Sequence, residues 1–164
     1  MNLRFGILTI SDRSASGKRT DASGPALANA VLSKGWQITQ DAIVPDVLGT
    51  IKDLLVSWVD SGDLDVILTT GGTGFSPRDV TPEATEMVIE REAPGISEAM
   101  RAASLKVTPH AMLSRGLAGT CGKTLIINLP GSPKAAKENL EVVIPVLEHA
   151  VQLLRDDPAA EMGH

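Results

Sequence analysis

The sequence predicts an α/β fold, a three-layer arrangement of a mostly parallel sheet with helices on both faces. Three observations predict it. Short aliphatic runs alternate with amphipathic helical patterns in the order β-α-β-α-β-α. The runs at 65–70 and 124–129 are near-continuously apolar, as strands covered on both sides are. The chain has 164 residues, 43% hydrophobic and 21% charged. That is ordinary globular usage, and one domain of this size buries roughly 70% of its unfolded surface.

Each element has its own signal. Residues 5–10 (Phe-Gly-Ile-Leu-Thr-Ile) read as a buried strand, and 11–20 as a polar, flexible loop. Residues 23–34 read as a helix, with Pro25 in its first turn, Leu27 and Val31 four apart, and Gly35 as its stop. Trp36, Ile38, Ala42 and Val44 fall at even spacing, as a second strand requires. After Asp46, the residues Leu48, Ile51, Leu55 and Trp58 line one helix face, and 61–63 end it. The strand at 65–70 runs into a glycine-rich turn. A helix then opens with Thr81 as cap and Pro82 at its first position. Residues 95–115 read as helical in pieces, broken at Pro109. A short strand and turn occupy 116–122, and a core strand 124–129. Ser132 caps a last helix to about Arg155, with Pro145 as an expected kink. Residues 155–164 are expected to fray, and the whole chain is read as one domain.

Composition narrows the function classes. The net charge is −5 and only 2% of residues are aromatic. A general nucleic-acid surface and a base-stacking platform are both disfavoured. Cys121 is the single cysteine, so a disulfide framework and a cysteine-rich zinc site within the chain are excluded. No run approaches the ~20 apolar residues of a membrane span, and the N-terminus lacks signal-peptide features. The expectation is a cytoplasmic protein with no membrane partner.

In open α/β sheets ligands bind outside the carboxyl ends of the strands. There the sequence places Ser11 and Asp12, Asp46, the stretch 71–79, and Gly131 and Ser132. Gly71, Gly72, Thr73 and Gly74 follow a buried strand directly, so their amides can approach an anion; the bland alternative is a tight turn. The pattern is neither GxGxxG nor a Walker A loop. The stretch 119–124 fails the latter too, because position 117 is Leu and a strand follows. Asp46 and Asp79 suit magnesium, which takes one or two carboxylates and completes its shell with water and phosphate oxygens. Equally, Asp46 can be only a helix cap, and Asp79 only a loop carboxylate beside Arg78. Ser76, Asn128 and Ser132 are further polar candidates, Ser132 also reading as a plain N-cap. The basic residues of 13–19 read by default as a solvated loop, with a phosphate-gripping lid as the alternative, and Cys121 and His110 lack partners for catalysis.

Residues 69–85, TTGGTGFSPRDVTPEAT, resemble the signature of the molybdenum-cofactor biosynthesis domain. Residues 119–134, GTCGKTLIINLPGSPK, resemble its second block, and 10–13 and 21–25 fit as well. The resemblance covers about residues 3–155 and is nearest to the single-domain molybdopterin adenylyltransferases. It implies that family's fold, and transfer of AMP from ATP to the terminal phosphate of molybdopterin with magnesium and release of pyrophosphate. It implies that Asp46 and Asp79 are the essential aspartates and magnesium ligands, a homotrimer, and hand-over of product to a molybdenum insertase. Substrate contacts are expected from Ser11, Asp12, Gly71, Gly72, Thr73, Gly74, Ser76, Asn128, Gly131 and Ser132. Phe75 stands where Leu is common. The alternative is a B-type cofactor protein or scaffold that binds molybdopterin without transferring AMP.

Overall fold

A computed structural model describes residues 1–163. Six strands form one sheet in the order β2-β1-β3-β6-β5-β4. β1 (Arg4–Ile10), β2 (Gln37–Val44), β3 (Val66–Thr70) and β6 (Thr124–Leu129) run parallel. β5 (Ala118–Cys121) is antiparallel to β6, and β4 (Arg91–Glu92) to β5. The predicted three-layer α/β architecture is therefore present.

Two cores account for it. On one face, α2 (Ser23–Leu32), α5 (Pro94–Leu105) and α6 (Pro133–Leu154) pack Leu27, Met100, Leu140 and Leu147 against Phe5, Leu68 and Ile127. On the other, α3 (Leu48–Asp60) and α4 (Thr81–Glu86) pack Ile51, Leu55, Trp58 and Ala84 against Leu8, Ile67 and Ile126. β3 and β6 are buried at every residue, which is why their sequences are continuously apolar. Phe5 and Trp36 stack with centroids 5.3 Å apart.

The differences from expectation are local. Residues expected to be a flexible loop form a one-turn helix, α1 (Asp12–Ala15), capped by Ser11. β4, two residues long, carries no periodic signal. Thr81 is the first residue of α4 rather than its cap, and its hydroxyl donates to the Gly71 carbonyl at 2.9 Å. The piece broken at Pro109 is a 3-10 turn, Pro109–Leu113. Where fraying was expected, Pro158–Gly163 form a second 3-10 turn with Ala160 buried; His164 lies outside the described residues.

The order of the strands places the functional edge. The chain winds from β1 outward to β2, then returns to β3 on the other side of β1. This reversal opens a crevice at the carboxyl ends of β1 and β3.

Candidate functional site at the carboxyl ends of the strands

A cleft of about 350 Å³ lies at that crevice. It brings together seven of the residues singled out from sequence: Ser11, Asp46, Gly71, Gly72, Asp79, Gly131 and Ser132. A second cleft, about 260 Å³, takes Thr73, Gly74 and Asn128 on the far side of the glycine loop. Asp12 and Ser76 line neither cleft.

The glycine loop is shaped by two left-handed residues. Gly71 has φ +99° and Gly72 φ +68°. A Cβ on Gly71 would meet the Ile10 carbonyl at 2.3 Å, so only glycine lets this loop cross the end of β1. The Gly71 amide, expected to hold phosphate, instead donates to the Leu129 carbonyl at 3.2 Å. Among the described residues nothing accepts from the amides of Gly72, Thr73 and Gly74. Three donors therefore remain for a ligand, not four. Gly131 packs against the same turn; its Cβ position is 3.3 Å from the Gly71 Cα.

Asp46 is not a helix cap. α3 begins at Leu48, and its N-cap is Val47, with no side-chain cap bond. The Asp46 carboxylate reaches across to β1 and accepts from the Asp12 amide at 2.9 Å. Asp12 reciprocates, accepting from the Asp46 amide at 3.0 Å. This pair ties the ends of β1 and β2 and turns the Asp46 carboxylate into the cleft. Burial pushes the Asp46 carboxyl above the ordinary aspartate value, and the charges of Asp12 and Asp79 add to the rise. Asp12 moves the other way. Its two oxygens accept Nε and Nη2 of Arg78, each at 3.0 Å, which lowers its carboxyl together with the Asp46 amide bond.

Asp79 sits in a tight turn. Its Oδ2 accepts from the Ser76 amide at 3.1 Å, and its own amide donates to the Ser76 carbonyl at 2.9 Å. Ser76, expected to touch substrate, is thus the brace of Asp79. Asn128 is also a brace. Its amide nitrogen donates to Thr69 Oγ1 and Thr85 Oγ1, both at 2.9 Å, and its carbonyl oxygen accepts from the Leu117 amide. Both amide protons are engaged inside the core, while the residue still lines the second cleft. Ser132 caps α6, accepting from the Ala135 amide at 3.2 Å, while facing the first cleft.

Several lining residues were not among the expected substrate contacts. Thr9, Arg19, Thr20, Asp21 and Thr70 all face the first cleft. Asp21 accepts from Thr9 Oγ1, Ser23 Oγ and the Gly24 amide. The spacing Asp21-x-x-Gly24 at the entry of α2 is an Asx-type cap and would have flagged it. Arg115, which holds the loop, had no local pattern to reveal it.

The donor set fits magnesium. Burial and the nearby charges of Asp12 and Asp79 favour a counter-cation at Asp46, and the glycine loop with its unpaired amides runs beside both carboxylates. Among the described residues no group of three His, Cys, Asp or Glu is arranged to hold a metal. A cation here therefore leans on two carboxylates, with water and substrate oxygens for the rest.

The sequence profile described as "Probable molybdopterin binding domain" matches residues 6–149. The chain belongs to this family. A molybdopterin adenylyltransferase of Helicobacter pylori is 43% identical over 155 residues, covering 93% of this chain and 88% of that protein. The molybdenum cofactor synthesis protein cinnamon of Drosophila melanogaster is 48% identical over 158 residues, 95% of this chain. The chain spans 26% of that protein's length, and 23% of the gephyrin of Dictyostelium discoideum, which is 44% identical. The crystal structure of a molybdopterin biosynthesis enzyme, MoaB, from Thermus thermophilus superposes with TM-score 0.88 at 50% identity, covering 95% of this chain and 98% of that one. No helix among the described residues is long and apolar enough to cross a membrane.

Proposed function

We propose that this family member transfers AMP from ATP to the terminal phosphate of molybdopterin, releasing pyrophosphate. The observation that carries the reading is the meeting of Asp46 and Asp79 beside the unpaired amides of the glycine loop, with a cleft on either side of that loop. The first cleft is polar, lined by carboxylates, hydroxyls and Arg19, and suits the nucleotide triphosphate. The second exposes mainly apolar surface, with Met100, Ala111, Leu113, Pro130 and Ala135 set among polar side chains that include Arg101, His110 and Asn128, and suits a flat pterin. The two ligands then approach each other across Gly72–Gly74.

Transfer needs no nucleophile from the protein. A phosphate oxygen of molybdopterin attacks the α-phosphorus of ATP, the new P–O bond forms, and the bond to pyrophosphate breaks. The chain's part is positioning and neutralisation. Asp46 and Asp79 would hold magnesium, which supplies Lewis-acid stabilisation of phosphoryl charge. The amides of Gly72, Thr73 and Gly74 orient phosphate oxygens, and Arg78 braces Asp12, which in turn holds Asp46. The same reading carries a homotrimer, hand-over of product to a molybdenum insertase, and a cytoplasmic setting.

The B-type name of the 50% identical Thermus structure favours a second reading, in which molybdopterin is bound without transfer. One assay separates the two. The protein is incubated with molybdopterin, ATP and magnesium, and pyrophosphate and adenylylated pterin are measured. Stoichiometric product formation over many turnovers is expected; binding without pyrophosphate would establish the second reading.

A further inference from the structure

The loop that carries Asp79 is anchored from within by one arginine that the proposed chemistry does not use. Arg115 lies between the 3-10 turn and β5. Its Nε donates to the Gly74 carbonyl at 2.7 Å, and its Nη2 to the Asp79 carbonyl at 2.9 Å. Its Nη1 donates to the Glu83 carboxylate on α4. Its own amide donates to the Thr73 carbonyl at 2.8 Å. Three carbonyls of the loop, those of Thr73, Gly74 and Asp79, thus converge on a single residue. The carbonyls flanking Arg115 are held in turn. Arg101 on α5 donates from Nη1 to Gly116 at 2.8 Å and to Ser114 at 3.3 Å.

We propose that Arg115 is a positioning residue for adenylyl transfer, fixing the backbone of 73–79 so that the Asp79 carboxylate and the free amides are preset at the phosphate site. This inference rests on the proposed function. The Glu83 pair alone does not explain the residue, because both side chains are partly exposed and such pairs contribute little. The bonds to the loop carbonyls need a planar fork whose donors point in fixed directions, which a lysine ammonium lacks. The remaining ties of 74–79 are the turn between Ser76 and Asp79 and the exposed Arg78–Asp12 bridge. Neither reaches the Gly74 carbonyl. Arg115 belongs to neither apolar core, so losing its side chain is expected to loosen the loop rather than the fold.

The test compares wild type with Arg115→Lys and Arg115→Ala. Amide hydrogen exchange over 76–79, where the amides of Ser76 and Asp79 are bonded, is expected to quicken by about tenfold in both variants in the ligand-free protein, with the rest of the chain unchanged. Turnover is expected to fall by about 100-fold, the size of effect a misplacement of ~1 Å has on positioned groups. KM for ATP should stay within a few-fold. Guanidinium ion at millimolar concentration should recover part of the Arg115→Ala rate, and Arg115→Lys should not match wild type. Unchanged exchange over 76–79, or full activity in Arg115→Lys, would overturn the proposal, as would a loss of protection spread over the whole chain. The exchange result is read without substrate. Failure of the wild type to transfer AMP would instead overturn the proposed function.

Discussion

Asp46 shows how one carboxylate is held ready at a cost to the resting protein. It is half-buried, it faces Asp12 and Asp79, and its carboxyl is raised above the ordinary aspartate value. For a raised aspartate the linkage sign is unfavourable: ionisation weakens the fold as pH climbs from the ordinary value through the raised one. Asp46→Asn removes that charge while its side-chain oxygen can still accept from the Asp12 amide. The expected outcome is a melting temperature equal to or above wild type at neutral pH. The rate should be slower by about two orders of magnitude, equivalent to ~3 kcal/mol of lost metal-dependent stabilisation. In wild type, magnesium-dependent activity should begin to fall on the acid side at a higher pH than an ordinary aspartate would give. Melting curves and initial rates across a pH and magnesium series check all three. A variant as fast as wild type would take Asp46 off the metal. At this scale the sequence was legible for positions just past strand ends, because chain order alone sends them to one edge. It was not legible for partners. Nothing local in Asn128, Ser76 or Asp46 says whether its oxygens face a ligand or a neighbouring backbone amide, and contacts 34 or more residues apart decided two of the three.

Among the elements, the long ones were readable and the short ones were not. α6 was legible from cap to last turn, because Ser132 and Pro133 supply the start and the apolar face repeats for 22 residues. α1 has four residues and none buried, and β4 has two, so neither spans a hydrophobic period. Tertiary pairing makes them instead. The other end of the sheet illustrates the same point with a charge. Asp65 precedes β3 and is nearly inaccessible, with its side chain 3% exposed. It accepts from the Arg4 side chain and amide, and from Arg155 just after α6. Burial pushes its carboxyl up, but the bonds from Arg4 and Arg155 outweigh burial and leave it below the ordinary value of 3.8. A lowered aspartate contributes stability that is present above that ordinary value and is lost as pH falls through the lowered one. Asp65→Asn should therefore destabilise the protein at neutral pH by about 1–2 kcal/mol, the loss of charge-assisted bonds to arginines that are themselves a third exposed and so take up water in their place. The gap between variant and wild type should narrow on acidification below about pH 3.8. Urea melts at neutral and acid pH check it, and a constant gap would mean that shape and not charge holds this end of the sheet.

The molecule as a whole places two clefts on one edge, separated by a loop that belongs to both. Ligand binding there should act on global stability, because the first cleft is built from the ends of β1, β2 and β3 and the start of α6. A ligand at 100 times its Kd stabilises the fold by about 2.7 kcal/mol. For a chain of this length that is a rise in Tm of roughly 5–10 °C. With ATP and magnesium the wild type should show this rise, and Asp46→Asn should lose its magnesium-dependent part. The second cleft can be filled separately. Ala135 is on the first turn of α6 and lines that cleft, and its amide bond to Ser132 involves backbone alone on its side. Ala135→Leu adds three carbons into the cleft at a position where leucine suits a helix nearly as well as alanine. The variant should keep the Tm rise with ATP and magnesium, and its KM for molybdopterin should rise by about tenfold or more, the equivalent of ~1.4 kcal/mol of lost contact. Differential scanning with each ligand alone, followed by transfer kinetics, resolves the two effects. If Ala135→Leu instead abolished the ATP response and left molybdopterin binding intact, the assignment of the two clefts would be reversed, and the α-phosphorus would have to be reached from the opposite side of Gly72–Gly74.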